Sequence, residues 1–137
     1  MLKLLTAYGA TAVVFLLMDM TWLTLTGNSI YRPVLGPLMA AKVDGGAAIA
    51  FYLIYIFGLV FFAVRPGFAT HDWKTVALNG LVLGLVAYAT YDLTNQATLR
   101  LWAMKITVLD LCWGMTASAV ASTLGFLAAQ TLVRGPH

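Results

Sequence analysis

Long apolar stretches alternate with short polar interruptions along the whole chain. Four stretches are long enough to cross a bilayer, whose hydrocarbon core requires about 20 mostly apolar residues as helix. The spans are predicted at about residues 4–25, 46–64, 74–94 and 106–132. The third has the potential to continue as helix towards Leu99. The pattern therefore predicts one all-α domain over residues 1–137, an integral membrane four-helix bundle with short loops.

The connections between spans are short and rich in helix-breaking residues. Gly27-Asn28 is predicted to end helix one. The segment 31–45 contains two prolines and is too short and too broken to span, so we predict a loop with a short interfacial helix there. Pro66-Gly67 is predicted to break the chain after helix two. Only Arg100-Leu101-Trp102 separates helices three and four, which predicts that these two are antiparallel neighbours.

Composition excludes a water-soluble domain and narrows the classes of ligand. Hydrophobic residues make up 61% of the chain and charged residues 9%, against roughly 25% charged in soluble proteins. The net charge of +3 is spread without a basic cluster, so the expected partner is the lipid bilayer and nucleic acid is not expected. No His-x-x-His pair, cysteine pair or glycine-rich phosphate loop occurs. Neither a cofactor nor a metal site is therefore predicted.

The N-terminus resembles a signal peptide only superficially. Lys3 precedes an apolar stretch, but that stretch contains Asp19 and Trp22, and no small-x-small cleavage site follows it. We therefore expect a retained first helix. Cys112, the single cysteine, lies in an apolar segment and is expected to be a packed, unreactive thiol.

Three aspartates lie inside the predicted spans and at similar depth. At 1.5 Å per residue, Asp19 lies roughly 9 Å before the end of helix one, and Asp92 roughly 12 Å before Arg100. Asp110 lies roughly 8 Å beyond Lys105, on the helix that returns through the membrane. Three helices thus place a carboxyl group in the same leaflet, which predicts one layer of aspartates.

Polar and aromatic neighbours accompany these aspartates. Tyr88, Asp92 and Asn95 share a helix face because they are spaced i, i+4, i+7, and Arg100 follows near the end of that helix. The candidate site for an ion, proton or polar ligand consists of Asp19, Asp92, Asp110, Asn95, Tyr88, Trp22, Trp113 and Arg100. An intramembrane charge costs roughly 3 kcal/mol, so these carboxyls should face the bundle interior or a cavity. We expect at least one to be protonated unless a cation or Arg100 compensates.

The orientation in the membrane is weakly encoded. We denote as side A the side that holds the N-terminus and as side B the opposite side; four spans return the chain to side A. Lysines and arginines are divided evenly: Lys3, Arg65, Lys74 and Arg134 on side A, and Arg32, Lys42, Arg100 and Lys105 on side B. If Arg32 and Arg100 serve the aspartate layer, the remaining excess places both termini in the cytoplasm.

Two structural roles compete with a ligand site. Asp, Asn and Trp side chains can simply hydrogen-bond between helices as a polar clamp, at about 0.6 kcal/mol per contact. Small residues recur at four-residue spacing on helices three and four: Gly80, Gly84, Gly114, Ala117, Ser118, Ala121, Ser122 and Gly125. Such residues let helices approach closely, either within the chain or between protomers.

The chain resembles the DUF2177 family of predicted bacterial membrane proteins over nearly its whole length. Three segments carry the resemblance: Asp19 with Trp22-Leu23, the string Tyr91-Asp92-Leu93-Thr94-Asn95-Gln96-Ala97-Thr98-Leu99, and Asp110-Leu111-Cys112-Trp113-Gly114. The resemblance implies a four-helix protein of the bacterial inner membrane with no assigned activity and no catalytic residues to carry over.

Three functions remain open at this point. Intramembrane carboxylates commonly mark transport pathways, so the first hypothesis is transport or permeation of a cation, proton or small polar solute by a homo-oligomer such as a dimer, packed through a small-residue face. The second is a membrane enzyme acting on a lipid-like substrate near side B, with Asp92 or Asp110 as general acid or base, or two acids holding a divalent metal. The third is an accessory subunit of a larger membrane complex.

Overall fold

The computed structural model describes residues 1–133, and these residues form helices joined by short turns, without a strand. Four helical runs are long and apolar enough to cross a membrane: Leu2–Leu38, Gly45–Thr70, Trp73–Thr98 and Met104–Leu132. The predicted all-α, four-span architecture is thereby confirmed. The last residues of the predicted domain, 134–137, lie outside the described residues. They include Arg134, which enters the charge count.

The first run is longer than predicted. Helix α1 (Leu2–Thr26) continues through a π-helical segment, Gly27–Tyr31, into the short helix α2 (Arg32–Leu35) and a 3₁₀ turn, Gly36–Leu38. The prediction that Gly27-Asn28 ends the helix is wrong, because Gly27 keeps helical angles (φ −54°, ψ −49°). Within a membrane a helical backbone satisfies its own polar groups, which outweighs the low helix propensity of glycine. The short helix predicted in the first loop is present, in continuation of α1.

The second run also passes through its predicted break. Helix α3 (Gly45–Leu59) leads into a π-helical segment, Val60–Val64, and then into α4 (Arg65–Thr70). The prediction that Pro66-Gly67 ends this helix is wrong. Proline lacks an N–H and crowds the carbonyl four residues earlier, and the wider π turn just before Pro66 relieves that conflict. The run ends instead at His71, whose φ of 56° is left-handed.

Two aspartates begin helices outside the membrane. Asp44 caps α3 by accepting a hydrogen bond from the backbone N–H of Ala47 at 3.1 Å. Asp72 caps α5 (Trp73–Thr98) in the same way, with Lys74 as donor at 3.0 Å. That bond favours the charged carboxylate and holds the pKa of Asp72 below its usual value. The remaining three of the five aspartates are therefore those of the predicted membrane layer.

Helix α6 (Met104–Leu132) lies at the centre of the bundle, antiparallel to both α1 and α5. The predicted neighbour relation of the third and fourth spans is confirmed. Small residues form the seam between α5 and α6: a Cβ added at Gly84 would lie 2.7 Å from the Ser118 hydroxyl and 2.8 Å from the Gly114 carbonyl carbon. Gly125 of α6 faces Thr11 of α1 in the same way. Packing of this small-residue face within the chain is one of the two alternatives that the sequence leaves open.

The helices pack closely towards side A, whereas α3 and α5 separate towards side B. An apolar cluster, here named the side-A seal, is formed by Ala7, Val60, Ala63, Val64, Val76, Phe126 and Ala129, all of them buried. There α5 packs against the π segment Val60–Val64. Further towards side B, α3 separates from α5 and leaves a cleft of about 400 Å³ between them.

Candidate functional site

The three intramembrane aspartates are buried on three different helices. Asp19 on α1 is 7% exposed, Asp92 on α5 is 0% exposed, and Asp110 on α6 is 8% exposed. Asp110 lies within electrostatic range of both other carboxyl groups. The structure thus brings the three predicted aspartates into one cluster, which we name the carboxyl cluster.

Asp19 is held by donors from two other spans. The Tyr52 hydroxyl on α3 donates to Asp19 Oδ2 at 2.6 Å. On the other oxygen, Trp113 Nε1 of α6 donates to Oδ1 at 3.4 Å. Asp19 therefore ties α1 to the second and fourth spans.

Asp110 is held by a tyrosine from the π segment that follows α1. The Tyr31 hydroxyl donates to Asp110 Oδ1, and Trp22 Nε1 donates to the Tyr31 oxygen at 2.9 Å. The indoles of Trp22 and Trp113 are stacked, with centroids 4.5 Å apart and planes inclined by 7°. Through this stack the surroundings of Asp110 and Asp19 form one connected aromatic layer.

Asp92 differs from the other two because no hydroxyl, indole or amide group donates to it. Within residues 1–133, both of its carboxyl oxygens are buried without such a donor, and its carboxyl lies within hydrogen-bonding range of the Asp110 carboxyl, a contact that requires a proton on one of the two. The Oε1 atom of Gln96 is also buried without a donor, one helical turn further along α5, on the same face. Three acceptor oxygens on adjacent turns are thus left without donors. Such groups are rare in native proteins because each costs about 1–3 kcal/mol.

The other predicted site residues divide into neighbours and outsiders. Tyr88 packs over Gly114 of α6 and lies in electrostatic range of Asp19 and Asp110. Asn95 is half-buried on α5 but gives no hydrogen bond to a carboxyl of the cluster. Arg100 is exposed beyond the end of α5. In the part of the chain that the structure describes, every donor to the cluster is a tyrosine or tryptophan, and Arg100 forms no hydrogen bond or ion pair with it.

Sequence reasoning missed three members of the cluster: Tyr31, Tyr52 and Gln96. Tyr31 falls in the predicted first loop because Gly27-Asn28 indicates a helix end. Tyr52 is one of several aromatic residues in the second predicted span, a pattern typical of core and lipid contacts. One signal could have identified Tyr52, since a phenol hydroxyl about 10 Å inside a span requires a hydrogen-bond partner there.

The chemistry of the cluster favours a ligand that donates hydrogen bonds. Carboxylate and amide oxygens are acceptors, and those of Asp92 and Gln96 are free to accept. Among the described residues, no three carboxylate, imidazole or thiolate side chains converge closely enough to hold a metal ion. The open acceptors therefore suit a proton or an organic cation with N–H groups better than a caged metal.

Polar groups extend from the cluster towards the middle of the bundle and end there. The hydroxyls of Tyr55 and Ser118 are hydrogen-bonded at 2.7 Å, and Ser122 donates to the Ser118 carbonyl at 2.6 Å. The Thr11 hydroxyl is buried nearby without a partner. Beyond these residues lies the apolar side-A seal. These polar groups, which we name the polar track, lie on the side-A side of the carboxyl cluster, beside a second buried apolar cluster that includes Phe15, Leu59 and Ala117.

Comparison with known proteins gives a family but no relative of known activity. The model of DUF2177, described as a predicted membrane protein, matches residues 4–127. No curated protein and no solved structure matches the chain.

Proposed function

Given that the chain belongs to the DUF2177 family of predicted membrane proteins, we propose that it binds an organic cation with N–H groups, or a proton, at Asp92 and transports it. The observation that carries the proposal is the Asp92 carboxyl, 0% exposed, without a hydroxyl, indole or amide donor on either oxygen, and beside a second carboxyl, Asp110. A ligand that supplies donors and positive charge compensates both the missing hydrogen bonds and the buried charge.

The pattern of hydrogen bonds supports a ligand site over a purely structural clamp. A clamp satisfies its polar groups across helices, as Asp19 does with Tyr52 and Trp113. Asp92 accepts no such bond from a tyrosine or tryptophan, and its neighbour across the helix interface is another carboxyl, that of Asp110. The carboxyls of Asp19 and Asp110 therefore hold helices together through hydrogen bonds. The carboxyl of Asp92 is available for binding.

The arrangement of the polar track supports transport over simple binding. The track leads from the carboxyl cluster to Ser122 and Thr11, in the middle of the membrane. Buried apolar residues separate it from the opposite side: those of the side-A seal, and the cluster of Phe15, Leu59 and Ala117 beside the track. Opening of that seal while side B closes would give alternating access, the motion by which many transporters move a solute past a fixed central site.

Ion flux into proteoliposomes tests this function. Guanidinium is a suitable probe because it is permanently charged, carries N–H donors and crosses lipid poorly; proton flux is followed in parallel with an internal pH-sensitive dye. We expect the protein to raise guanidinium or proton flux above that of empty liposomes, and Asp92→Asn to return it to the empty-liposome level. Asp44→Asn is the matched control, since asparagine is also a good helix cap and Asp44 lies outside the membrane.

Two outcomes would contradict the proposal. Equal flux through the Asp92→Asn variant and the unmodified protein would remove Asp92 from the pathway. Absence of both fluxes in correctly folded protein would reject transport of this class of solute.

For the location we propose the bacterial inner membrane, with side A in the cytoplasm. This follows the Lys/Arg count of the sequence with Arg32 and Arg100 set aside. Single cysteines in a Cys112→Ser background test it in intact cells. A membrane-impermeant maleimide is expected to label Ala41→Cys on side B and to spare His71→Cys on side A; the reverse pattern would invert the topology.

A further inference from the structure

The cleft between α3 and α5 opens sideways, towards lipid. Its lining is entirely apolar or aromatic and consists of Phe51, Tyr55, Ala87, Tyr88 and Tyr91. Phe51 and Tyr91 are 45% and 59% exposed and form the mouth, whereas Tyr55 is 8% exposed and forms the floor. The volume of about 400 Å³ lies in the range of about 300–1,000 Å³ that is typical of small-molecule sites.

Ring contacts and packing keep the cleft open. The rings of Phe51 and Tyr55 are stacked with centroids 5.4 Å apart, and Tyr88 contacts Tyr55 edge-on at 6.3 Å. The hydrogen bond between Tyr55 and Ser118 fixes the floor to α6. Because α5 packs on the π segment Val60–Val64, the second and third spans are held together towards side A. Towards side B, α3 stays apart from α5. The cleft is therefore a built feature of the bundle.

The apolar cleft adjoins the carboxyl cluster along α5. Tyr88 lies one helical turn before Asp92, on the same face of α5, and is in electrostatic range of Asp19 and Asp110. Tyr91, at the mouth, adjoins Asp92 in the chain. A ligand that filled both regions would have an apolar portion among aromatic rings and a cationic portion at the open carboxyl.

We propose that the cleft receives the alkyl chain of an amphiphilic organic cation, which enters from the bilayer and places its N–H headgroup at Asp92. The proposal rests on the proposed function and names its class of ligand. Two complementary features select this occupant: an apolar lining for the chain, and three acceptor oxygens without donors on Asp92 and Gln96 for the headgroup.

Lateral entry also suits the energetics of such a ligand. An alkyl chain dissolved in the bilayer is already out of water, so moving it into an apolar cleft exposes no hydrocarbon. Only the charged headgroup changes its surroundings, and the buried carboxyls compensate for its lost hydration. Tyrosine rings beside its path attract a cation through their π faces. A small hydrophilic cation gains nothing from the cleft, so the cleft distinguishes the two classes of ligand.

Binding in lipid nanodiscs tests the proposal with two probes, guanidinium and decylguanidinium, that share a headgroup. Fluorescence of the stacked pair Trp22 and Trp113, which adjoins the carboxyl cluster, reports occupancy, and decylguanidinium is corrected for partition into empty nanodiscs. Ala87→Phe fills the cleft with a ring. It is expected to weaken decylguanidinium binding at least tenfold and to leave guanidinium binding unchanged. Val86→Phe, at the exposed neighbouring position, is the matched control and should bind both probes normally.

The outcomes separate this inference from the proposed function. Guanidinium binding that depends on Asp92, with decylguanidinium equally tight in the protein and in Ala87→Phe, would overturn the cleft and leave the cation site intact. Binding of both probes that is indifferent to Asp92→Asn would overturn the cation site and with it this inference. Retained guanidinium binding in Ala87→Phe serves as the proof that this variant folds.

Discussion

Alanine in place of Gly84 is expected to lower the melting temperature of the protein in mild detergent strongly, because one methyl group prevents α5 from contacting α6. Its Cβ would lie 2.7 Å from the Ser118 hydroxyl and 2.8 Å from the Gly114 carbonyl carbon, and would also overlap the Gly114 carbonyl oxygen. Two of these three atoms belong to the backbone and cannot rotate away. Overpacking of this kind costs about 1–3 kcal/mol.

Gly9 provides the matched control for that experiment. It lies on α1, also within a membrane span, and a Cβ added there meets no atom within 4 Å. Gly9→Ala should therefore melt at or above the temperature of the unmodified protein, since alanine is the better helix former. Similar melting of the two variants would show that the seam is not close-packed. Because Asp92 and Asp110 lie on the two separated helices, Gly84→Ala should also reduce cation flux.

Leucine in place of Asp92 is expected to raise the melting temperature while it abolishes cation binding. The carboxyl is buried, its two oxygens lack donors, and an unsatisfied buried polar group costs about 1–3 kcal/mol. Leucine has a similar branched shape without polar atoms, so it removes this cost and keeps most of the packing. Removal of the charge also relieves repulsion from Asp110. Thermal unfolding followed by size-exclusion chromatography measures the change.

Tyr52→Phe supplies the comparison, because it removes the hydroxyl that donates to Asp19 at 2.6 Å. This variant should lose about 0.6–1 kcal/mol, the value of an interhelical hydrogen bond. Opposite signs for the two variants would separate an open binding carboxyl from a structural clamp. If Asp92→Leu is destabilised to the same degree as Tyr52→Phe, then Asp92 has a structural partner and the proposed cation site is wrong.

The aspartate depths could be calculated from the sequence because a helix rises by a fixed length per residue. Once the four spans were recognised from their length and hydropathy, Asp19, Asp92 and Asp110 fell in one leaflet without any knowledge of packing. Their difference in hydrogen bonding was not accessible in this way. Which carboxyl receives a donor depends on the side chains that neighbouring helices present, and those arise from rotation and crossing angles that hydropathy does not encode.

Helix continuity was the main failure of sequence reasoning, and it explains the missed tyrosine. In water, glycine and proline commonly end a helix because the freed backbone groups bind solvent, and Gly27 and Pro66 therefore suggest helix ends. In a membrane the chain inserts a π turn and continues, as it does before both Pro33 and Pro66. Tyr31 consequently belongs to the helical run that carries Asp19 and not to a loop, and this placement lets it reach Asp110.

The π segment Val60–Val64 also sets the rotational phase of the second span. A π turn holds one residue more than an α turn, so the part of the helix before it is rotated by about 100° relative to a continuous α-helix. That rotation directs Tyr52 towards Asp19 and Tyr55 towards Ser118. The number of residues between Tyr55 and Pro66 therefore determines whether the two tyrosines face their partners. A one-residue deletion there would turn both tyrosines away from their partners, whereas the same deletion in the turn at 39–44 would leave that register untouched.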